Sequence, residues 1–283
     1  MNVLAIEAGG AQFGLSCVRV DDKDETAFET RAVFASSEAR SLSRDLVIQI
    51  DNILSQANWT TETLDAIAVG IGPGSWTSLR IALSTAKTLA QICGCHLCGV
   101  PSFAAWARAA NLSENSFILV TAPCRPDAIY GQIFNIEYSM LGIAEFKALG
   151  AEEVAAPQEW ASRLADLNHE KLPVTVCGEA RAAVLSELLA AQQNARETDV
   201  SIENVAVAIA QLGAIKAARG ESDDAMTLQP LYIGVSNAER VLNERVLNER
   251  VLNERVLNER VLNERVANER LANERLALQS STR

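Results

Sequence analysis

Two short stretches of this chain combine residue types that could hold a phosphate or another anion. In Glu7-Ala8-Gly9-Gly10-Ala11 an acid and two glycines stand directly behind the apolar run Val3–Ile6. An acid with glycines after a strand is a nucleotide-binding signal. The second stretch is Gly72-Pro73-Gly74-Ser75-Trp76-Thr77-Ser78. Pro73 fixes φ, Gly74 permits backbone angles that other residues avoid, and Ser75 or Thr77 can cap a following helix. A strand, a glycine elbow and a capped helix make an anion site. The same order also makes an ordinary sharp strand-to-helix connection, and geometry alone leaves both open. Glu7, Gly9, Gly74 and Ser75 are the candidate anion- or nucleotide-binding residues.

Cys93-Gly94-Cys95-His96-Leu97-Cys98 brings three thiols and an imidazole together, enough donors by type for tetrahedral zinc. The segment reads as the end of a helix entering a strand. Alternation there sends Cys93 and Cys95 to one face and His96 and Cys98 to the other. Buried small thiols are therefore expected, and no metal ligand is assigned. His96 and His169 are the two histidines, and neither belongs to a paired-histidine metal motif. The chain has no Walker A sequence, no G-x-S-x-G elbow and no Cys/His nucleophile pairing. Asp127 and Glu152–Glu153 are isolated acids expected at the solvated surface. No catalytic residue is assigned.

The elements that must position these residues are legible as alternating strands and helices. Val3–Ile6, Phe13–Val20 and Glu29–Phe34 read as three successive strands, the acidic turn Asp21-Asp22-Lys23-Asp24-Glu25 separating the last two. A helix follows over Leu42–Leu54, with Leu42, Leu46, Ile50, Ile53 and Leu54 on one face. Val47 and Ile48 lie off that stripe and hint at a second contact face. The run 64–71 reads as a buried strand, 76–92 as an Ala-rich helix and 96–100 as another strand. The second half repeats this style, with strands at Phe117–Thr121, Ala128–Ile136 and Val174–Cys177. Its helices are expected at Glu179–Ala191 and at Ile202–Ala218, where Val205, Ile209 and Leu212 are in phase. Three early strands followed by β-α-β units, given twice, is the pattern of a duplicated ribonuclease-H-like α/β fold.

The chain has 283 residues, 48% of them hydrophobic, and a net charge of −11. That charge is unevenly distributed. From Ser236 onward there are 8 Glu and 9 Arg, which leaves the body with 28 acidic and 16 basic residues, a net −12. Such a body repels a phosphate backbone. Without a basic leader or an apolar run approaching eighteen residues, a cytoplasmic protein with no membrane span is expected. The six irregularly spaced cysteines fit reduced thiols.

The tail repeats Val-Leu-Asn-Glu-Arg five times from Val241 to Arg265, then varies it through Arg275. A five-residue period advances about 140° per repeat on a helix, so Val and Leu wind around it and build no coiled-coil seam. A marginally helical or disordered extension is expected. Its Arg-to-Glu spacing of four, as in Arg240–Glu244, adds a few tenths of a kcal/mol per pair, in the weaker order.

The wording of the glycine elbow carries a resemblance. Gly72-Pro-Gly-Ser-Trp-Thr-Ser-Leu-Arg-Ile-Ala-Leu-Ser-Thr-Ala-Lys87 resembles the GPGSFTGLRIGLSTAKGLA signature of the TsaB (YeaZ) family, a subunit of tRNA threonylcarbamoyladenosine biosynthesis. Three weaker likenesses follow in the family's order. Val3-Leu4-Ala5-Ile6-Glu7 stands where the family has a strand ending in Asp-Thr-Ser. Val100-Pro101-Ser102-Phe103-Ala104-Ala105-Trp106-Ala107 is similar to V-x-S-L-x-A-L-A. Leu228-Gln229-Pro230-Leu231-Tyr232-Ile233 is similar to the closing P-x-Y-L. Together they cover residues 1 to about 235 and none of the tail.

The resemblance implies the duplicated actin and sugar-kinase (ASKHA) architecture. One lobe would span 1–105 and a second 106–235, the final helix returning to the first, with 236–283 as the repeat tail. It also implies a non-catalytic subunit that binds and supports the enzyme TsaD, a paralogue once described as a glycoprotease. TsaE attaches to that complex and TsaC supplies the threonylcarbamoyl-adenylate. ATP and metal are expected on those partner subunits, none is assigned to this chain, and tRNA is met through the complex.

The family's contact with TsaD uses the first two long helices, here about 42–55 and 76–92. Leu46, Ile50, Leu79, Ala82, Thr85 and Ala86 are the partner-binding candidates, with Ala82→Trp expected to block the contact. The small-residue stripe can equally pack on the chain's own sheet. An apolar partner face also allows a homodimer.

Two departures matter. Glu7 replaces the usual Asp, and Ala8-Gly9 replaces Thr-Ser, removing hydroxyls that would meet phosphate. The paired histidines of the catalytic paralogue's metal site are also absent. The alternative reading is a stand-alone enzyme, either a sugar-kinase-like ATP-dependent one or a glycoprotease-type metallopeptidase.

Overall fold

A computed structural model describes residues 1–21, 27–36, 41–138, 144–191 and 193–233. The repeat tail and most of the acidic turn read at Asp21–Glu25 lie outside the described residues. Residues Met1–Ile233 form one compact unit.

The first half lays down β1 (Asn2–Glu7), β2 (Gly14–Val20) and β3 (Phe28–Ala35) as an antiparallel meander. Then come α1 (Leu42–Ala57), β4 (Ala66–Gly70), α2 (Trp76–Cys93), β5 (His96–Val100) and α3 (Ser102–Ala109). β4 and β5 add in parallel beside β1, giving the order β3-β2-β1-β4-β5. The second half contains β6 (Ser116–Arg125), β7 (Ala128–Tyr138), β8 (Ala144–Ala148), β9 (Glu153–Ala155), α4 (Pro157–Leu167), β10 (Val174–Gly178), α5 (Arg181–Ala190) and β11 (Ala195–Glu197). Its strand order is β8-β7-β6-β10-β11, with β6, β10 and β11 parallel and β9 paired to β7. The two sheets therefore share one topology, an antiparallel meander extended by two parallel strands. That is the duplicated α/β fold expected from the sequence.

α6 (Ile202–Ala218) closes the chain against the first sheet. Gly213 packs so closely on Ala68 that a side chain there would overlap it, and Ser16 Oγ donates to the Ala206 carbonyl at 2.9 Å. Val205 and Ile209 are buried, and Leu212 is partly buried against the same core. This central core joins Val3, Ala5 and Val100 of the first sheet, α3 and α6, and Ile118, Val120 and Ile136 of the second. A second core lies under α1 and α2, and a third under α4 and α5.

Sequence periodicity locates most of these elements to within a few residues. It does not mark α3, α4, β8, β9 or β11. α5 begins at Arg181 rather than Glu179, so Glu179 sits in the turn after β10. That displacement matters for the site.

Candidate functional site

The four quoted motifs, spread over some 230 residues, meet at one end of the first sheet. Glu7 ends β1 at 1% exposure. Its Oε1 accepts the Gly9 N–H at 2.7 Å, and its Oε2 accepts the Ser102 hydroxyl at 2.8 Å. Ser102 Oγ in turn accepts the Gly72 N–H at 3.2 Å, and the Ser102 N–H donates to the Gly72 carbonyl at 2.9 Å. The closing motif arrives through Leu231, whose N–H donates to the Ile71 carbonyl at 2.7 Å. Arg80 Nε then donates to the Tyr232 hydroxyl at 3.0 Å.

Close backbone approach explains the glycines here. The Ser75 N–H donates to the Gly9 carbonyl at 2.7 Å, and a Cβ on Gly74 would overlap the Gly9 backbone. A Cβ on Gly70 would overlap the Glu7 carboxylate. Ser75, not Thr77, caps α2, its Oγ accepting from the Ser78 N–H at 3.5 Å and the Ser78 hydroxyl at 3.0 Å.

Burial raises the Glu7 pKa above its ordinary 4.5, against the lowering effect of the Gly9, Ser102 and Ala8 hydrogen bonds, and the charge of Glu179 adds to the rise. Glu179 reaches this loop from the second half, its Oε1 accepting the Ala11 N–H at 2.6 Å. Beside it opens a cleft of about 470 Å3 whose lining includes Gln12, Trp106, Glu179, Arg181 and Asp199. Arg181 already faces Asp199 at 3.0 Å and Glu197 at 3.4 Å and donates to the Gly178 carbonyl.

Glu7, Gly9, Gly74 and Ser75 are thus brought together, but mainly onto one another. The Gly9 and Ala11 N–H groups both end on carboxylates of this chain. A phosphate in the cleft would face Glu179 and Asp199, with its one lining cation engaged. These residues do not fit a phosphate group.

The partner-binding candidates land elsewhere than a free surface. Leu46, Ile50, Leu79, Ala82 and Ala86 are all buried, and Thr85 is half-buried. Leu46, Ile50, Ala82 and Ala86 belong to the core beneath α1 and α2. Of the two readings of the small-residue stripe, packing on the chain's own sheet is the observed one. Ala82→Trp would overfill that core and cannot probe a partner.

Exposed large side chains stand on the other faces of the same helices: Val47 (67%) and Ile48 (57%) on α1, Trp76 (44%) and Ile92 (76%) on α2. Val47 and Ile48 were marked by their position off the buried stripe. Nothing in the sequence marks Glu179, which contacts a loop 168 residues away.

In the cysteine segment, Cys93 ends α2, Gly94 is its left-handed cap, and Cys98 lies buried on the opposite side of β5 from Leu97. Burial pushes the thiols of Cys95 and Cys98 up to about 11. Among the described residues no group of three His, Cys, Asp or Glu is placed to hold a metal ion, and no helix is long and apolar enough to cross a membrane.

A family profile described as TsaD: tRNA N6-adenosine threonylcarbamoyltransferase matches residues 32–217. The chain belongs to that family. The chain is also similar to TsaB/YeaZ proteins. It is 22% identical over 198 residues to the tRNA threonylcarbamoyladenosine biosynthesis protein TsaB of Haemophilus influenzae, covering 69% of this chain and 80% of that protein. A tRNA N6-adenosine threonylcarbamoyltransferase of Maridesulfovibrio salexigens is 31% identical over 123 residues, 41% of this chain. The match spans about a third (35%) of that transferase. The fold is that of YeaZ from Pseudomonas aeruginosa, with a TM-score of 0.65 at 22% identity, covering 82% of this chain and 99% of that one.

Proposed function

We propose that this chain is a non-catalytic subunit that binds and supports TsaD in forming threonylcarbamoyladenosine next to the tRNA anticodon. Family membership supports the pathway. The observation that carries the supporting role is the closed strand-end site. The loop amides that would grip a phosphate, those of Gly9 and Ala11, are already held by Glu7 and Glu179. In this reading the chain itself holds no nucleotide. ATP and metal belong to the partner subunits, TsaE joins the complex, TsaC supplies the activated threonylcarbamoyl group, and tRNA is reached only through the assembly. The acidic body, at a net −12 before the tail, fits a protein that leaves tRNA binding to others. The partner face in this reading is the exposed side of α1 and α2, bearing Val47, Ile48, Trp76 and Ile92.

Calorimetric titration of the isolated chain with Mg-ATP tests the claim. No resolvable heat is expected, together with a stable complex on size exclusion when TsaD is added. Tight ATP binding with turnover would overturn it in favour of a stand-alone ATP-dependent enzyme.

A further inference from the structure

The turn that joins α2 to β5 brings two thiols together. Cys93 is the last residue of α2, and Gly94 behind it adopts a left-handed φ of 66°. The N–H groups of Gly94 and Cys95 both turn back onto the Ala90 carbonyl, that of Cys95 at 3.2 Å. The chain therefore doubles back over one residue, as helix ends with a left-handed glycine do. The Cys93 and Cys95 side chains emerge on the same side and hydrogen-bond each other.

These two thiols differ from the deep ones in access. Cys17, Cys98 and Cys177 are fully buried, whereas Cys93 and Cys95 are half-buried, with Gly94 and His96 exposed beside them. A cleft of about 620 Å3 opens at this turn, its lining including Asp65, Gly94, Cys95 and His96. Cys93 is the less buried of the pair, and Cys95 rests partly on the core beneath α1 and α2. Among the described residues no third His, Cys, Asp or Glu joins them in a group that could hold a metal ion. Two adjacent, accessible thiols without a third ligand suit dithiol chemistry rather than a structural metal.

We propose that Cys93 and Cys95 are a reversible dithiol–disulfide pair that a small disulfide oxidant closes at the end of α2. Cys93 loses its proton and attacks one sulfur of the oxidant, whose S–S bond breaks and releases a thiolate. Cys95 then loses its proton and attacks the Cys93 sulfur of the mixed disulfide, releasing the second thiolate. The two cysteines give up two electrons and two protons, and the oxidant takes up both as two free thiols. Burial holds both thiols above their ordinary pKa, and the charges of Glu62 on Cys93 and Asp65 on Cys95 add to the rise. The first attack is therefore slow at neutral pH, and the second is helped by the contact already made. An exposed disulfide belongs to the labile class, so a reductant reopens it.

The test is incubation of the folded, full-length chain with oxidised glutathione. An acid quench, alkylation of the remaining thiols in denaturant and mass analysis of the tryptic peptide 88–108 follow. That peptide carries Cys93, Cys95 and Cys98. A Cys93–Cys95 link with Cys98 alkylated is expected, reversed by dithiothreitol. Cys95→Ser should stop at a glutathione adduct on Cys93. Cys93→Ser should slow the loss of the Cys95 thiol about tenfold or more. The melting temperature of each variant controls for folding.

A glutathione adduct that persists on Cys93 of the wild-type chain would overturn the pair. A Cys95–Cys98 link, or a disulfide between two copies of the chain, would do the same. Cys93 and Cys95 remaining reduced under an exposure that fully oxidises the unfolded chain would also overturn it.

Discussion

The clasp at the ends of β1 and β4 and the outer surface of α1 and α2 treat their side chains in opposite ways. At the clasp, a buried acid, a serine hydroxyl and backbone amides from three loops bond to one another, and Glu179 from the second half takes a further N–H. On the helices, Val47, Ile48, Trp76 and Ile92 stand in water. The polar groups of the first region satisfy one another inside the chain. The second region exposes four large apolar side chains on two neighbouring helices. That contrast is expected of a protein whose partner is another protein.

The largest way to break the comparison is at the clasp. Gly74→Val places a side chain on the Gly9 backbone, and a loss of about 3 kcal/mol or more is expected in denaturant unfolding. Unchanged stability would mean that the two loops do not require their close approach. Leu46→Ala, beneath α1, should cost about 2–5 kcal/mol. It should disturb TsaD binding only as far as it unfolds the protein, which separates core from surface on one helix.

On the outer face, Val47→Lys with Ile48→Lys should change stability by about 0.5 kcal/mol or less and yet abolish complex formation on size exclusion. Retained binding would remove α1 from the partner face.

Smaller effects sharpen the clasp itself. Burial raises the Glu7 pKa above 4.5, so the folded state holds the Glu7 proton more tightly than the unfolded state. Stability from this group is therefore present below about pH 4.5 and is lost as pH climbs from there through the raised value. Glu7→Gln should remove that falling component, seen as the difference between wild-type and variant unfolding curves across the acid range. A parallel pair of curves would place the carboxylate in water. Glu179→Gln, at an exposed contact, should cost about 1 kcal/mol or less and lower the Glu7 pKa by removing a nearby charge.

The fold was legible because its signals are local. The run Ala66–Gly70 is apolar throughout, and α1 shows its buried stripe as Leu42, Leu46, Ile50 and Ile53. α3 is only eight residues and apolar on nearly every side, so periodicity does not separate it from the strand before it. α4 carries its own start signal in Pro157 at the first turn. β9 and β11 are three residues each, too short for alternation to register.

The site was half legible. Glu7, Gly9, Gly74 and Ser75 stand out by type and do converge. What bonds them does not, since Ser102 lies 95 residues from Glu7 and Glu179 168 from Ala11. The helix faces show a different limit. A stripe of small residues such as Ala82, Ala86 and Ala90 permits close packing on either side, and only the fold shows that the protein's own sheet occupies it.

The central claim is that this chain acts by supporting a sister enzyme. The most direct measurement is threonylcarbamoyladenosine formed on tRNA in a reconstituted system holding TsaD, TsaE and TsaC, with and without this chain lacking residues 236–283. The account predicts modification only when the chain and TsaD are both present. Modification by this chain in the absence of TsaD, or no dependence on the chain when TsaD is present, would contradict it.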